Sequence, residues 1–88
     1  MPYFVYILRC ADGTLYTGIT TDVARRLRVH GRGKGAKYTR SRLPLALAYT
    51  EACEDKGAAL RREHAIKAMT RAQKLALTGA PLVHKEIP

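Results

Sequence analysis

This chain is short of the features that mark several protein classes. Its 88 residues include two cysteines, Cys10 and Cys53, and no asparagine. Two thiols so far apart make neither a disulfide framework nor a zinc site. Each lies in an apolar run and reads as a buried thiol in a reducing compartment. No apolar run approaches the roughly 20 residues that span a bilayer. The N-terminus has no basic segment leading into a long apolar one, so no signal peptide is expected. The expectation is a cytoplasmic protein without membrane contact. The chain shows no internal repeat, no Ser-His-Asp context and no Gly-x-Gly-x-x-Gly fingerprint, since Gly31-x-Gly33-x-Gly35 has the wrong spacing. Acidic residues are also scarce: 7 Asp+Glu face 16 Lys+Arg, a formal charge of +9. That balance favours a polyanionic partner, nucleic acid before anionic membrane.

What is present is a small α+β pattern. Tyr3–Cys10 and Thr14–Thr20 are rich in aromatic and β-branched residues and flank Ala11-Asp12-Gly13, so they read as a hairpin. The first strand is apolar on both sides, as suits a strand with both faces covered. Two turns are open to it. A two-residue type I′ turn pairs Ala11 with Thr14 and sends Tyr6 and Tyr16 to opposite faces. A three-residue loop with Gly13 left-handed pairs Cys10 with Thr14 and puts both tyrosines on one face.

Thr20-Thr21-Asp22 then starts a helix, on which Val23 and Leu27 form an apolar stripe, with Gly31 as its stop. Lys37–Arg42 forms at most a short helical turn, and 45–53 reads as a third strand beginning after Pro44. Asp55 caps a helix to about Met69, with Leu60 and Ile66 anchoring its apolar side. Thr70-x-x-Gln73 is a capping box for a last helix that stops at Gly79 and Pro81. The order β-β-α-β-α-α predicts a three-stranded antiparallel sheet flanked by helices: one domain over 1–80 and a tail over 81–88.

The charge is concentrated. Residues 23–50 contain no acid and hold Arg25, Arg26, Arg28, Arg32, Lys34, Lys37, Arg40 and Arg42. Phosphate backbone is the natural counterpart of such a block, the alternative being a solvated basic face. Tyr38 within it either stacks on an unpaired base or anchors its loop. Arg26 and His30, four apart, share a helix stripe. Glu63 borders the apolar face of its helix, so it must be paired, with Arg62, Lys67 or a helix-1 arginine, or must bind a metal. A single carboxylate suits Mg²⁺, which keeps several waters and is held by few protein ligands plus substrate phosphate. His64 and His84 read as surface residues.

Val5-Tyr6-Ile7 followed by Tyr16-Thr17-Gly18, then Arg26, His30 and Glu63 in that order, resembles the two-part signature of the GIY-YIG nucleases. TDVARRLRVH, KGAKYTR and LRREHAIK are similar to the short stand-alone bacterial branch of that family, and the likeness runs from about Tyr3 to Leu77. It implies a metal-dependent endonuclease that cuts DNA in repair or recombination; with so little chain outside the core, weak sequence specificity and a preference for DNA structure are the expectation. RNA stays open as a substrate, and a protein partner could supply specificity. Tyr6 and Tyr16 would flank the scissile phosphate. One of Tyr6, Tyr16 and His30 would take the proton of the attacking water. Arg26 would hold the phosphate, and Glu63 would ligate one Mg²⁺ or Mn²⁺. Arg25, Lys34, Lys37, Tyr38, Arg40, Arg42 and Lys67 are the expected nucleic-acid contacts.

The roles suit the chemistry, because in-line attack builds charge that fixed cations stabilise, and an arginine fork fits two phosphate oxygens. A tyrosine is a poor base at its usual pKa near 10 and needs help. The chain departs from the signature at Val5 and Thr17, carries Ile19 where some relatives have lysine, and lacks a late asparagine. Two rivals stand beside the nuclease: a non-catalytic or partner-dependent nucleic-acid-binding module of the same fold, and a basic RNA-associated protein.

Overall fold

A computed structural model describes residues 2–79; the expected tail and His84 lie outside them. The elements are β1 (Tyr3–Arg9), β2 (Leu15–Thr20), α1 (Val23–Gly31), α2 (Lys37–Arg40), β3 (Ala46–Cys53), α3 (Lys56–Lys67) and α4 (Arg71–Thr78). The sheet is antiparallel in the order β2-β1-β3, so β1 is central. Val5, Tyr6, Ile7 and Leu8 are accordingly all buried, two from each face.

The hairpin takes the three-residue loop. Cys10 N–H donates to the Thr14 carbonyl at 2.8 Å and Gly13 N–H to the Cys10 carbonyl at 2.9 Å, with Gly13 at φ +85°. Asp12 holds the turn by accepting from the Thr14 amide at 3.1 Å and its hydroxyl at 2.6 Å. These bonds keep the Asp12 carboxyl below its ordinary pKa. In the resulting register Leu8 faces Tyr16 and Tyr6 faces Gly18, so both tyrosines project from one side of the sheet.

The opposite face carries the core. Val5 and Ile7 pack on Ala59 and Ile66 of α3, with Tyr3, Leu15, Ile19, Tyr49, Met69 and Leu77 around them. Helix caps act where the sequence puts them. The Asp22 carboxylate accepts from the Arg25 amide at 3.0 Å, the Asp55 carboxylate from the Ala58 amide at 2.8 Å, and Thr70 and Gln73 close a reciprocal capping box.

Two local expectations need correction. α1 runs through Gly31, and the left-handed residue that ends it is Gly33, at φ +74°, after which Lys34 N–H bonds back to the Val29 carbonyl at 3.0 Å. Leu60 is not an anchor of α3: it is 45% exposed. At about 100° per residue it stands some 240° from Ile66, whereas Ala59 is within about 20° of it. The inward stripe is therefore Ala59, Arg62, Glu63 and Ile66, two of them charged.

Candidate active site

The face of the sheet opposite the core is covered near its middle by α1 and α2, and four of the expected site residues meet there. Tyr6, 2% exposed, directs its hydroxyl to His30 Nε2 at 3.0 Å. The rings of Tyr6 and Tyr16 lie 6.4 Å apart, and His30 stands edge-on to both, at 5.9 Å from Tyr6 and 5.4 Å from Tyr16. The Arg26 guanidinium stands near enough to the Tyr6 phenol to act on its pKa. The common stripe of α1, four residues apart, brings Arg26 and His30 to the same place. Arg26 makes no salt bridge among the described residues. A half-buried guanidinium without a carboxylate suits an incoming anion.

The electrostatics of the two buried groups run in opposite senses. Burial raises the Tyr6 pKa above 10, opposed by the hydrogen bond and charge of Arg26 and aided by Tyr16 and Glu63. Burial lowers the His30 pKa below its ordinary value, and the Arg26 charge adds to the effect. The imidazole is therefore neutral at neutral pH and free to accept a proton.

Glu63, on α3, adds the smallest of the charge effects on the Tyr6 phenol. Of the partners open to it, Glu63 takes Lys67, at 3.2 Å one turn along the helix. Arg62 turns instead to Glu51 on β3, at 3.1 and 3.0 Å to the two carboxylate oxygens, and Tyr49 donates to the same carboxylate. No group of three or more His, Cys, Asp or Glu side chains able to hold a metal occurs among the described residues. A lone carboxylate such as Glu63 suits a largely hydrated Mg²⁺ or Mn²⁺ completed by substrate oxygens.

The expected nucleic-acid contacts divide into two groups. Arg25, Lys34, Lys37 and Arg40 are exposed. Arg42 is engaged within the fold: it bonds Asp12 at 3.1 Å and the Tyr38 carbonyl at 2.8 Å, and lies 3.9 Å over the Tyr38 ring. Tyr38, 38% exposed, is stacked with Tyr16 at 6.1 Å. Beside Tyr16 opens a groove of about 250 Å³ lined by Leu15, Tyr16, Thr17, Tyr38, Lys67 and Lys74.

Sequence reasoning missed three residues that shape the site. Gly18 sits opposite Tyr6, whose ring leans across it: a Cβ there would lie 2.5 Å from the Tyr6 hydroxyl. The hairpin register, once chosen, was enough to find it. Gly35 presses against the His30 ring so closely that a Cβ would overlap Nδ1. Thr39, fully buried, bonds His30 Nδ1 at 2.9 Å. For these two no local signal existed beyond the density of glycine before α2.

Known proteins place the arrangement. The family model described as the GIY-YIG catalytic domain matches residues 2–76. A UPF0213 protein of Streptococcus agalactiae is 57% identical over 75 residues, covering 85% of each chain. One from Halobacterium salinarum is 55% identical over 75 residues, covering 85% of this chain and 97% of its own. Among solved structures, the solution NMR structure of a UPF0213 protein from Bacillus halodurans superposes with a TM-score of 0.58 at 48% identity, over 93% of this chain and 90% of that one. That of a protein from E. faecalis gives 0.62 at 38% identity, over 100% and 92%. This chain belongs to the GIY-YIG family, a nuclease superfamily whose substrates are nucleic acids.

Proposed function

We propose that this member of the GIY-YIG family is a metal-dependent DNA endonuclease of low sequence specificity, structure-selective and serving repair or recombination. The observation that carries the reading is the buried Tyr6–His30 pair beside the half-buried ring of Tyr16 and beside Arg26, which makes no salt bridge among the described residues. A neutral imidazole bonded to a phenol removes the obstacle of tyrosine's high pKa, because the phenol need not lose its proton to solvent. Water attacking the phosphorus gives a proton to the Tyr6 oxygen while the Tyr6 proton passes to His30 Nε2. The P–O bond to the leaving oxygen breaks, and that oxygen takes its proton from solvent. Arg26 binds the phosphate and stabilises the charge that grows on it. Tyr16, whose hydroxyl makes no hydrogen bond among the described residues, is free to donate to a phosphate oxygen. Glu63 would hold the Mg²⁺ or Mn²⁺, which when bound supplies charge stabilisation at the leaving oxygen.

The exposed cations of α1 and of the segment before α2, with Lys67 and Lys74 in the groove, support a sequence-independent grip on the phosphate backbone. Phosphate contacts carry no sequence information, hence the low specificity. No described helix is long and apolar enough to cross a membrane.

One observation favours the second reading, a binding module that cuts weakly or only with a partner: the Glu63 carboxylate is occupied by Lys67. Incubation of supercoiled and branched DNA with Mg²⁺ or Mn²⁺ separates the two. Cleavage lost in Glu63→Ala and Tyr6→Phe supports the nuclease. Binding without cleavage in the wild type supports the module, and cleavage that survives both substitutions ends the nuclease reading.

A further inference from the structure

The glycine-rich basic segment looks from its charge like a nucleic-acid grip, yet it carries one residue that faces inward. Thr39, on the four-residue helix α2, is fully buried. Its hydroxyl lies 2.9 Å from His30 Nδ1 and 2.9 Å from the Ala36 carbonyl oxygen, to which it donates. Beyond the imidazole, His30 Nε2 lies 3.0 Å from the Tyr6 hydroxyl. Four groups on three elements thus form one line: Ala36 carbonyl, Thr39 hydroxyl, His30 ring, Tyr6 hydroxyl.

The protons along this line can be counted. A threonine hydroxyl has one proton, and a neutral imidazole has one N–H. An oxygen–oxygen approach of 2.9 Å without a proton between would oppose two lone pairs, so the Thr39 proton belongs to the Ala36 carbonyl. Thr39 is then only an acceptor toward the ring, and the imidazole proton must stand on Nδ1. That leaves the lone pair on Nε2, the atom that faces Tyr6. In the other tautomer Thr39 would give its proton to Nδ1 and abandon Ala36. Nε2–H would then point at the Tyr6 oxygen, and the 2.9 Å approach of the Thr39 oxygen to the Ala36 carbonyl would lie without a proton between. Only the first pattern uses every proton once.

We propose that Thr39 is a positioning residue that holds His30 as its Nδ1–H tautomer, with Nε2 kept as the acceptor for the Tyr6 proton. The packing is suited to the task. Gly35 lies against the ring at Nδ1, where any side chain would displace it, and the Thr39 methyl and backbone are enclosed. Gly-Ala-Lys-Tyr-Thr, Gly35 to Thr39, therefore does two jobs. It presents Lys37 and Tyr38 outward and cradles the imidazole from within. The tautomer assignment stands on geometry alone; its catalytic consequence rests on the nuclease reading above.

The experiment uses the full chain, ¹⁵N-labelled, at pH 8, where a lowered His30 pKa leaves the ring neutral. Long-range ¹H–¹⁵N correlations read the tautomer of His30 without substrate. The wild type and Thr39→Ser are expected to show Nδ1–H, and Thr39→Val, which keeps the shape and removes the acceptor, a mixture or the reverse. On supercoiled DNA with Mn²⁺, Thr39→Val should lose about 10- to 100-fold in kcat with KM unchanged, and Thr39→Ser should recover most of it. A wild-type ring protonated at Nε2 overturns the assignment, and so does a folded Thr39→Val that keeps both tautomer and kcat. Should Thr39→Val fail to fold, the wild-type tautomer and the Thr39→Ser pair still decide it. A wild type that shows Nδ1–H but never cuts DNA refutes the nuclease reading and leaves the tautomer assignment standing.

Discussion

Gly18→Ala is the most informative small change in the site. Gly18 lies in β2 directly across from Tyr6, and a Cβ added there would be 2.5 Å from the Tyr6 hydroxyl and 2.7 Å from the carbon bearing it. Ordinary contact begins near 3.4 Å, so the hydroxyl would have to recede by about 0.9 Å. It has nowhere to go, being 2% exposed and bonded to a His30 that is itself fully buried. Overpacking of this kind costs about 1–3 kcal/mol. Replacing a strand glycine returns roughly 0.5–1 kcal/mol of backbone entropy. The net loss is about 1–2 kcal/mol, a fall in melting midpoint of roughly 4–16 °C for a domain of this size. Activity should suffer more, on the order of 100-fold in kcat/KM, because the proton-accepting pair is displaced by nearly an ångström. Differential scanning calorimetry and a plasmid-nicking assay measure the two effects. Gly31→Ala is the matched control: the same substitution, in helix α1, where the new Cβ meets nothing within 4 Å. It should gain up to about 1 kcal/mol. A Gly18→Ala protein as stable and active as the wild type would refute the proposed packing of Tyr6 over Gly18, and with it the geometry of the site.

The remaining predictions are independent of that one. Thr70→Ala removes one side of a capping box on the exposed end of α4 and should cost about 1 kcal/mol in urea unfolding, with cleavage unchanged. Lys67→Ala breaks an exposed ion pair worth only about 0.3–0.5 kcal/mol, so stability should barely move. It frees Glu63, so Mn²⁺ should bind about twofold tighter by titration, while DNA affinity falls and the salt dependence flattens by about one ion. The pH profile of stability should bend at both ends. His30 has a lowered folded pKa, so its contribution is complete above the unfolded value of about 6.5 and is lost as pH falls through the folded pKa. Tyr6 has a raised one, so its contribution is complete below about pH 10 and is lost as pH rises through the folded pKa. Tyr6→Phe should remove part of the alkaline limb and keep the acid limb, as read by urea midpoints across pH.

How much of this could be read from the chain depends on how far apart the interacting groups stand in it. The caps at Asp22, Asp55 and Thr70 act on amides three residues away, and short-range chemistry of that sort is written locally. The hairpin was nearly as legible: Ala11-Asp12-Gly13 allowed two registers, and the observed one is the one that puts Tyr6 and Tyr16 on the same face. The order of elements and the concentration of cations over residues 23–50 were likewise local facts. The helix stop at Gly33 was misplaced because two glycines two residues apart carry the same signal, and only the backbone bonds of the following residues choose between them.

By itself the sequence determined the elements, their order and which side chains α1 presents together, and it narrowed the hairpin register to two, because each rests on contacts a few residues long. The tertiary structure decided what the buried groups do for one another. Tyr6 meets His30 across 24 residues of chain. The choice of Ala59 over Leu60 as the inward residue of α3 was settled by which face of that helix packs on Val5 and Ile7. The orientation of His30 depends on Thr39 and Gly35 from a segment whose charge advertised a different role. Packing brings these groups together only after the chain has closed around them, and the strength of a hydrogen bond or the shift of a pKa depends on the water that closure removes.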